Sequence, residues 1–140
     1  MTGAYTDARL AQNAPGLGGR NGDYLPFVPS VTNNLNVDYF WEPINNVQAF
    51  VSGSATYVGE RFTNFTTAAA NNNHTPLPGY VTGSLRAGLE YGHYSAEAFI
   101  NNINDERGIT TYANNGGARQ TGLATLIQPR LIGAVLRARF

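Results

Sequence analysis

The sequence predicts an all-β fold: one antiparallel, up-and-down sheet of about six strands. Apolar and polar residues alternate with period two in successive runs, and turn residues end each run. Charged residues make up only 13% of the chain, whereas Gly (16), Tyr (8) and Phe (7) are frequent. No run of apolar residues reaches the roughly 18 that a membrane-spanning helix needs. Any membrane crossing would therefore be made by strands.

Composition argues against several classes of function. The net charge is zero and all nine basic residues are scattered arginines, so no basic patch predicts a nucleic-acid partner. Cysteine is absent, which excludes a thiolate metal site and a Cys nucleophile. His74 and His93 lack further metal ligands at suitable spacing, and no G-x-S-x-G motif occurs. We therefore expect no enzyme activity, no catalytic residues, no metal site and no cofactor.

Three strands are predicted in the first part of the chain. A short one lies around Ala4 to Ala8, and longer ones run from Val31 to Trp41 and from Val47 to Val58. In both longer runs most alternate positions are apolar, and those between are mainly Thr, Asn, Gln or Ser. Glu42 to Asn46 is predicted to be the turn between them, because Pro43 has no N–H to give to a ladder.

The clearest alternation predicts a hairpin. Tyr80 to Tyr91 and Tyr94 to Ile103 flank the two-residue loop Gly92-His93. Counting outward from this loop pairs Leu85 with Ile100 and collects the apolar residues of both strands on one face. The same count sets Arg86 diagonally across from Glu97 on the other face, which predicts an ion pair.

The final run, Gln128 to Phe140, is predicted to be the last strand. Long Gly- and Asn-rich connections, from Arg9 to Pro29, Glu60 to Gly79 and Asp105 to Thr125, all fall at one end of the predicted sheet. Tight turns fall at the other end. Short turns on one rim and long loops on the other are typical of outer-membrane barrels, and an ordinary soluble meander has no reason for them.

In hydrocarbon every backbone N–H and C=O needs an internal partner, so strands cross a membrane within a barrel. We expect a segment of a transmembrane β-barrel, a partial barrel whose apolar face meets lipid. The polar residues predicted to face the lumen are Arg86, Glu90, Glu97, Arg137 and Arg139. The aromatic girdle predicted at the rim with the tight turns comprises Tyr39, Trp41, Tyr91 and Tyr94.

Five segments resemble the terminal barrel strands of TonB-dependent outer-membrane receptors: GAYTDA, LPFVPSV, LPGYVTGSLRAGLEY, AFINNINDERG and IQPRLIGAVLRARF. The likeness covers nearly the whole chain and is strongest in its C-terminal half. It implies part of a barrel of about 22 strands with a plugged lumen. It also implies the cell outer membrane of a Gram-negative bacterium and a role in nutrient uptake, for example of a siderophore. Phe140, as the terminal aromatic residue, would be the signal for the barrel-assembly machinery.

The resemblance covers neither a plug domain nor an energy-coupling box, so we expect residues 1–140 to be a fragment. Its expected partners are outer-membrane lipid, the rest of the parent barrel and its plug, the barrel-assembly machinery, and a TonB-type energy-coupling complex acting through the parent. The sequence does not indicate which residues bind the cargo.

The main alternative is a small soluble β-barrel or sandwich that binds a ligand. It accounts for the alternation but not for Phe140 at the end or the one-sided long loops. A complete small outer-membrane barrel would need about eight strands, more than the sequence offers. A membrane-embedded hydrolase would need a catalytic constellation, and none is found.

Overall fold

The computed structural model of the chain describes residues 1–65, 74–114 and 122–140. These residues form an all-β fold with one short 3-10 helix, Pro15–Leu17. None of their helices is long and apolar enough to cross a membrane. The strands are β1 (Thr2–Tyr5), β2 (Val31–Ile44), β3 (Val47–Val58), β4 (Arg61–Phe62), β5 (Pro76–Leu77), β6 (Tyr80–Tyr91), β7 (Tyr94–Asn101), β8 (Ile109–Asn114), β9 (Gly122–Leu126) and β10 (Leu131–Ala138).

Six strands form one main sheet in the order β1-β2-β3-β6-β7-β10. Every neighbouring pair is antiparallel. Because each strand pairs with the next main-sheet strand along the chain, the arrangement is the predicted up-and-down one. The sheet does not close into a barrel, and within the described ranges the outer edges of β1 and β10 have no pairing strand.

The hairpin of β6 and β7 has the register that counting predicted. Leu85 lies opposite Ile100, and the predicted ion pair between Arg86 and Glu97 is formed, with a closest N–O distance of 2.6 Å. A shift of one residue would have moved every side chain to the other face, so this agreement confirms the predicted sorting of the two strands. The bounds of β6 are also those predicted.

Strand β7 ends at Asn101, whereas the sequence predicted that it would continue to Ile103. Asn102 takes a left-handed backbone conformation, with φ of 51°. Its buried side-chain amide donates hydrogen bonds to the carbonyl oxygens of Glu106 and Gln128, both at 2.9 Å. These bonds turn the chain out of the sheet. Asn can adopt this conformation at lower cost than most residues.

Strand β2 runs through Pro43 to Ile44, so the turn lies within the predicted range Glu42 to Asn46 but starts three residues later, at Asn45. The register between β2 and β3 shifts between Trp41 and Ile44. An irregularity of this kind accommodates a proline, which cannot donate to the ladder. The turn itself is only two residues long, and the Asn46 N–H donates to Oε1 of Glu42 at 2.9 Å.

The bounds of β1 and β10 also differ from those predicted, and β10 ends at Ala138, two residues before Phe140. Strand β1 ends at Tyr5, not near Ala8, because the backbone beyond it pairs within the first connection: the Leu25 N–H donates to the carbonyl of Ala8 at 2.9 Å. Strand β10 starts at Leu131, three residues later than Gln128. The carbonyl of Gln128 is instead bonded by Asn102.

All three long connections leave the main sheet at one end, and both tight turns lie at the other, as predicted. The connections are more ordered than the sequence indicated. The second contains the hairpin of β4 and β5, and the third contains the hairpin of β8 and β9. We call residues 6–30, 59–65, 74–79, 102–114 and 122–130 together the connection cluster.

Most of the buried residues lie in the connection cluster and not in the main sheet. Within the described ranges, Ala49 is the only buried main-sheet residue. Backbone bonds join the connections, for example from the Phe27 N–H to the carbonyl of Phe62 at 2.7 Å. The buried residues of the cluster are Gly19, Gly59, Arg61, Phe65, Leu77, Asn102 and Gly108.

Candidate functional site

The register divides the main sheet into two faces of opposite chemistry. One, the apolar face, consists mainly of aliphatic and aromatic side chains that no other described part of the chain covers. Leu89 is 52% exposed and Leu136 is 83% exposed. Soluble domains bury such residues, so this distribution is inverted relative to a soluble sheet. Other exposed members of the face are Leu35, Val37, Val51, Val81, Leu85 and Ile132.

The three central strands of the apolar face are long enough to cross a hydrocarbon layer, whereas β7 and β10 contain only 8 residues each. Strands β2, β3 and β6 contain 14, 12 and 12 residues, and a tilted membrane strand needs about 9 to 11. At about 3.4 Å per residue and a tilt near 45°, a strand of this length spans roughly 25 to 30 Å along the membrane normal. The apolar band of outer-membrane barrels is of similar height, about 25 Å.

The four residues predicted to form a girdle lie together on the apolar face, beside the tight turns. Tyr39 stacks on Trp41 with ring centroids 5.4 Å apart. Tyr91 lies opposite Tyr94 in the hairpin register. All four rings are exposed. Their amphipathic rings therefore form two aromatic pairs, one on each side of β3, at the same end of the apolar surface.

The second face, the polar face, holds four of the five residues predicted to face a lumen. Glu97 accepts hydrogen bonds from Arg86 at 2.6 and 2.9 Å, and Arg137 approaches it to 3.9 Å. The Glu97 side chain is only 11% exposed. Glu90 is exposed on the same face. Arg139 lies just beyond β10, where its N–H donates to the carbonyl of His93 at 2.9 Å.

Asp38 is a further charged residue of the polar face, and it was missing from the predicted set. It lies opposite Ser52, which lies opposite Arg86 on the next strand. Its place in the polar half of the alternating run Val31 to Trp41 was the signal that could have identified it. Its position in the row of Arg86 became visible only from the pairing of the three strands.

Three phenylalanines interrupt the polar pattern of the polar face. Phe40 is 71% exposed and lies beside Phe50, with ring centroids 6.2 Å apart, while the other two have a structural reason. The Phe50 ring lies over Gly88, and the Phe99 ring lies over Gly133, each on the neighbouring strand. A Cβ atom at either glycine would collide with the ring. The rings cover backbone that would otherwise be open, so these aromatic residues stabilise the sheet without needing an apolar environment.

Arg61 is buried in the connection cluster, and sequence reasoning gave no sign of it. One terminal nitrogen donates to the carbonyl of Ile109 at 2.5 Å, and the guanidinium lies 5.4 Å from the ring centroid of Tyr80. The other terminal nitrogen is buried and has no hydrogen-bond partner among the residues that the structure describes. Arg61 thus ties the second connection to the third, although 48 residues separate it from Ile109.

Asp105 and Arg107 form an ion pair at 3.1 Å where the chain leaves β7. The Arg130 backbone N–H also donates to Asp105 at 3.1 Å. The bond from Arg130, followed by the bond from Arg107, lowers the pKa of the Asp105 carboxyl below its ordinary value. These contacts hold the beginning of the third connection against the residue that precedes β10.

The remaining predicted positions lie apart from these surfaces. Phe140 is fully exposed beyond β10. His74 stacks on Phe62 with ring centroids 4.5 Å apart, and its Nδ1 lies 2.8 Å from the carbonyl of Asn64. No group of three or more His, Cys, Asp or Glu side chains that could hold a metal occurs in the described ranges.

Comparison of the chain with models of protein families, with curated protein sequences and with solved structures gives no match. The functional argument therefore depends on the two faces of the main sheet and on the connection cluster.

Proposed function

We propose that this chain forms part of the wall of a TonB-dependent receptor barrel in a bacterial outer membrane and takes part in nutrient uptake. The apolar face would contact lipid, the polar face would line the lumen, and the connection cluster would lie on the outer side. The resemblance of five segments to such receptors supports the family assignment. The inverted distribution of side chains supports the membrane location.

The single observation that carries the proposal is the exposure of the apolar face opposite the charged polar face. At about 25 cal/mol for each Å² of apolar surface removed from water, contact with lipid would stabilise such a sheet substantially. The charges would remain hydrated on the other side. A lipid-facing Arg near the midplane would instead be unfavourable by about 2 to 4 kcal/mol.

The single tryptophan of the chain provides a direct test, because Trp41 lies on the apolar face. The full chain would be refolded into vesicles of phosphatidylcholine brominated at defined acyl-chain depths. We expect Trp41 fluorescence to be quenched, and most strongly by bromine close to the headgroup. A folded, monomeric chain in plain buffer with no quenching in any vesicle would refute the membrane location and favour the soluble ligand-binding module.

The absence of cysteine allows a second test with a matched pair of variants. Leu85→Cys places a label on the apolar face, and Ser84→Cys places the same label one residue away on the polar face. An environment-sensitive fluorophore should report an apolar environment at residue 85 and an aqueous one at residue 84. Equal emission at both positions in vesicles would contradict the assignment of the faces.

The receptor assignment itself needs a test in cells. The chain would be exported to the periplasm of a Gram-negative host, and its recovery from the outer membrane would be compared between wild type and Phe140→Ala. If Phe140 is read by the assembly machinery, the variant should be lost to periplasmic proteolysis. Leu131→Ala, a change to an exposed apolar residue at the start of β10, is the control. Equal recovery of wild type and Phe140→Ala would refute the role of Phe140.

A further inference from the structure

A polar depression lies on the polar face where β2, β3 and β6 adjoin. Its volume is about 210 Å³. Two rows of side chains line it, and each row crosses the three strands in register. One row is Asp38, Ser52 and Arg86, and the other is Asn36, Ser54 and Ser84.

Most of these groups have no partner within the part of the chain that the structure describes. The side chains of Asp38, Ser52, Ser54 and Ser84 form no hydrogen bond or ion pair there. Arg86 uses Nε and one terminal nitrogen to bind Glu97, and 54% of its side chain remains exposed. The depression therefore has hydrogen-bonding groups that a ligand could use in place of water.

The kinds of hydrogen-bonding group restrict the ligand. A serine hydroxyl both donates and accepts, a carboxylate only accepts, and a guanidinium only donates. Ligand hydroxyl groups satisfy all three kinds. Asp38 and Arg86 carry opposite charges in the same row, so the depression has no net preference for a cation or an anion. A neutral ligand that both donates and accepts hydrogen bonds matches its groups best.

The size of the depression and the aromatic rings beside it agree with this chemistry. Directly opposed residues are about 5 Å apart and successive rows about 7 Å apart, so the two rows cover roughly 10 by 7 Å. The volume corresponds to about seven water molecules at roughly 30 Å³ each, which is the scale of one sugar ring. Phe40 and Phe50 form the next row on the same face, beside Asp38 and Ser52. Phe40 is 71% exposed and offers an apolar surface to the C–H groups of such a ring.

We propose that this depression binds a neutral polyhydroxylated ligand, in the form of one sugar ring, through Asp38, Arg86 and the three serines. The inference deepens the proposed function by naming a class of cargo, and it relies on that function only for the location of the site in a water-filled lumen. Its hydrogen-bonding chemistry does not depend on the membrane.

The test is a titration of the full chain refolded in a zwitterionic detergent that has no sugar headgroup. Glucose and maltose are the neutral probes, choline chloride is the cationic probe and sodium citrate is the anionic probe. Binding is followed through the backbone amide resonances of Asp38, Ser54 and Ser84. We expect saturable shifts with at least one sugar and none with choline or citrate.

Asp38→Asn and Ser84→Ala should each weaken sugar binding about threefold to tenfold, the value of one net hydrogen bond. Ser95→Ala is the matched control, since Ser95 lies on the polar face outside the depression, and it should leave the affinity unchanged. The site is refuted if neither sugar binds, if choline or citrate binds instead, or if binding persists in the Asp38→Asn, Ser84→Ala double variant. Trp41 quenching, measured on the same samples transferred to vesicles, tests the membrane location separately.

Discussion

Glu97 is the residue at which the charges of the polar face meet. Its carboxylate is shared by Arg86 and Arg137 and is largely shielded from solvent. We expect Glu97→Gln to lower the free energy of unfolding by about 1 to 2 kcal/mol, because two guanidinium groups lose a charged partner. Denaturant unfolding of the refolded chain in micelles measures the change.

Glu90→Gln is the control for Glu97→Gln. Glu90 lies on the same face but forms no ion pair in the described part of the chain, so its substitution should change stability by less than about 0.5 kcal/mol. Equal losses in both variants would show that total charge, and not the shared carboxylate, sets the stability of the polar face.

Asp105 makes stability depend on pH in the acid range. Its pKa is lowered in the folded state by the Arg130 N–H and then by Arg107. The stabilisation is therefore present above the ordinary carboxyl pKa of the unfolded chain and is lost as the pH falls through the folded pKa. Asp105→Asn should destabilise the chain at pH 7 and have progressively less effect toward pH 3. Unfolding midpoints measured across this range would contradict the assignment if the difference stayed constant.

At the level of single residues, the sequence predicted contacts that follow from local counting. The ion pair of Arg86 and Glu97 could be predicted because the two-residue loop sets the register of the hairpin. The period of two then sets the face on which each side chain lies. Asp38 needed the pairing of β2 with β3 and of β3 with β6. Arg61 could not be identified, because its burial depends on Tyr80 and on the carbonyl of Ile109 in a different connection.

Within the strands, paired phenylalanine and glycine residues stabilise the sheet in a way that a substitution can test. Gly88→Ala would place a methyl group against the Phe50 ring, whereas at Gly83 in the same strand the nearest atom would be 3.7 Å away. We expect Gly88→Ala to be destabilising by about 1 to 3 kcal/mol, as in other overpacked sites. Gly83→Ala should be close to neutral. Thermal unfolding in micelles measures both.

A double variant makes the test of the Phe50 and Gly88 pair specific. If the ring is the obstacle, Phe50→Leu should reduce the penalty of Gly88→Ala, with a coupling energy of about 1 kcal/mol. Additive effects would instead assign the penalty to a different neighbour of the added methyl group, for example the Ala96 carbonyl oxygen, which would lie 3.0 Å from it.

The strands that the sequence predicted best are those with long, uninterrupted alternation. The bounds of β3 and β6 were predicted fully, since 12 residues of period two are difficult to mistake for another structure. The end of β7 was missed because a single left-handed Asn redirects the chain. Strands β4 and β5 have only two residues each, too few for a periodic pattern, so their pairing could not be predicted.

At the scale of the whole molecule, order in the main sheet and order in the connection cluster have different sources. The main sheet is held by its ladders and by cross-strand pairs, while its apolar face is left exposed. The connection cluster contains nearly all of the buried side chains in the described residues. Hydrophobic burial within the chain therefore stabilises the connections more than the sheet, which would obtain its own burial from lipid.

This division predicts that the connection cluster can be loosened without melting the main sheet. Leu77 is 1% exposed, so Leu77→Ala should reduce the local stability of the cluster by about 2 to 5 kcal/mol. Amide hydrogen exchange in micelles should then accelerate at Phe27 and Ile127, whose N–H groups bond within the cluster, and stay unchanged in β3 and β6. Leu123→Ala, at a position that is 71% exposed, should alter neither region. Equal acceleration of exchange in β3 and β6 would mean that the main sheet and the connection cluster unfold as one cooperative unit. Lipid contact at the apolar face would then not be needed to explain the stability of the sheet.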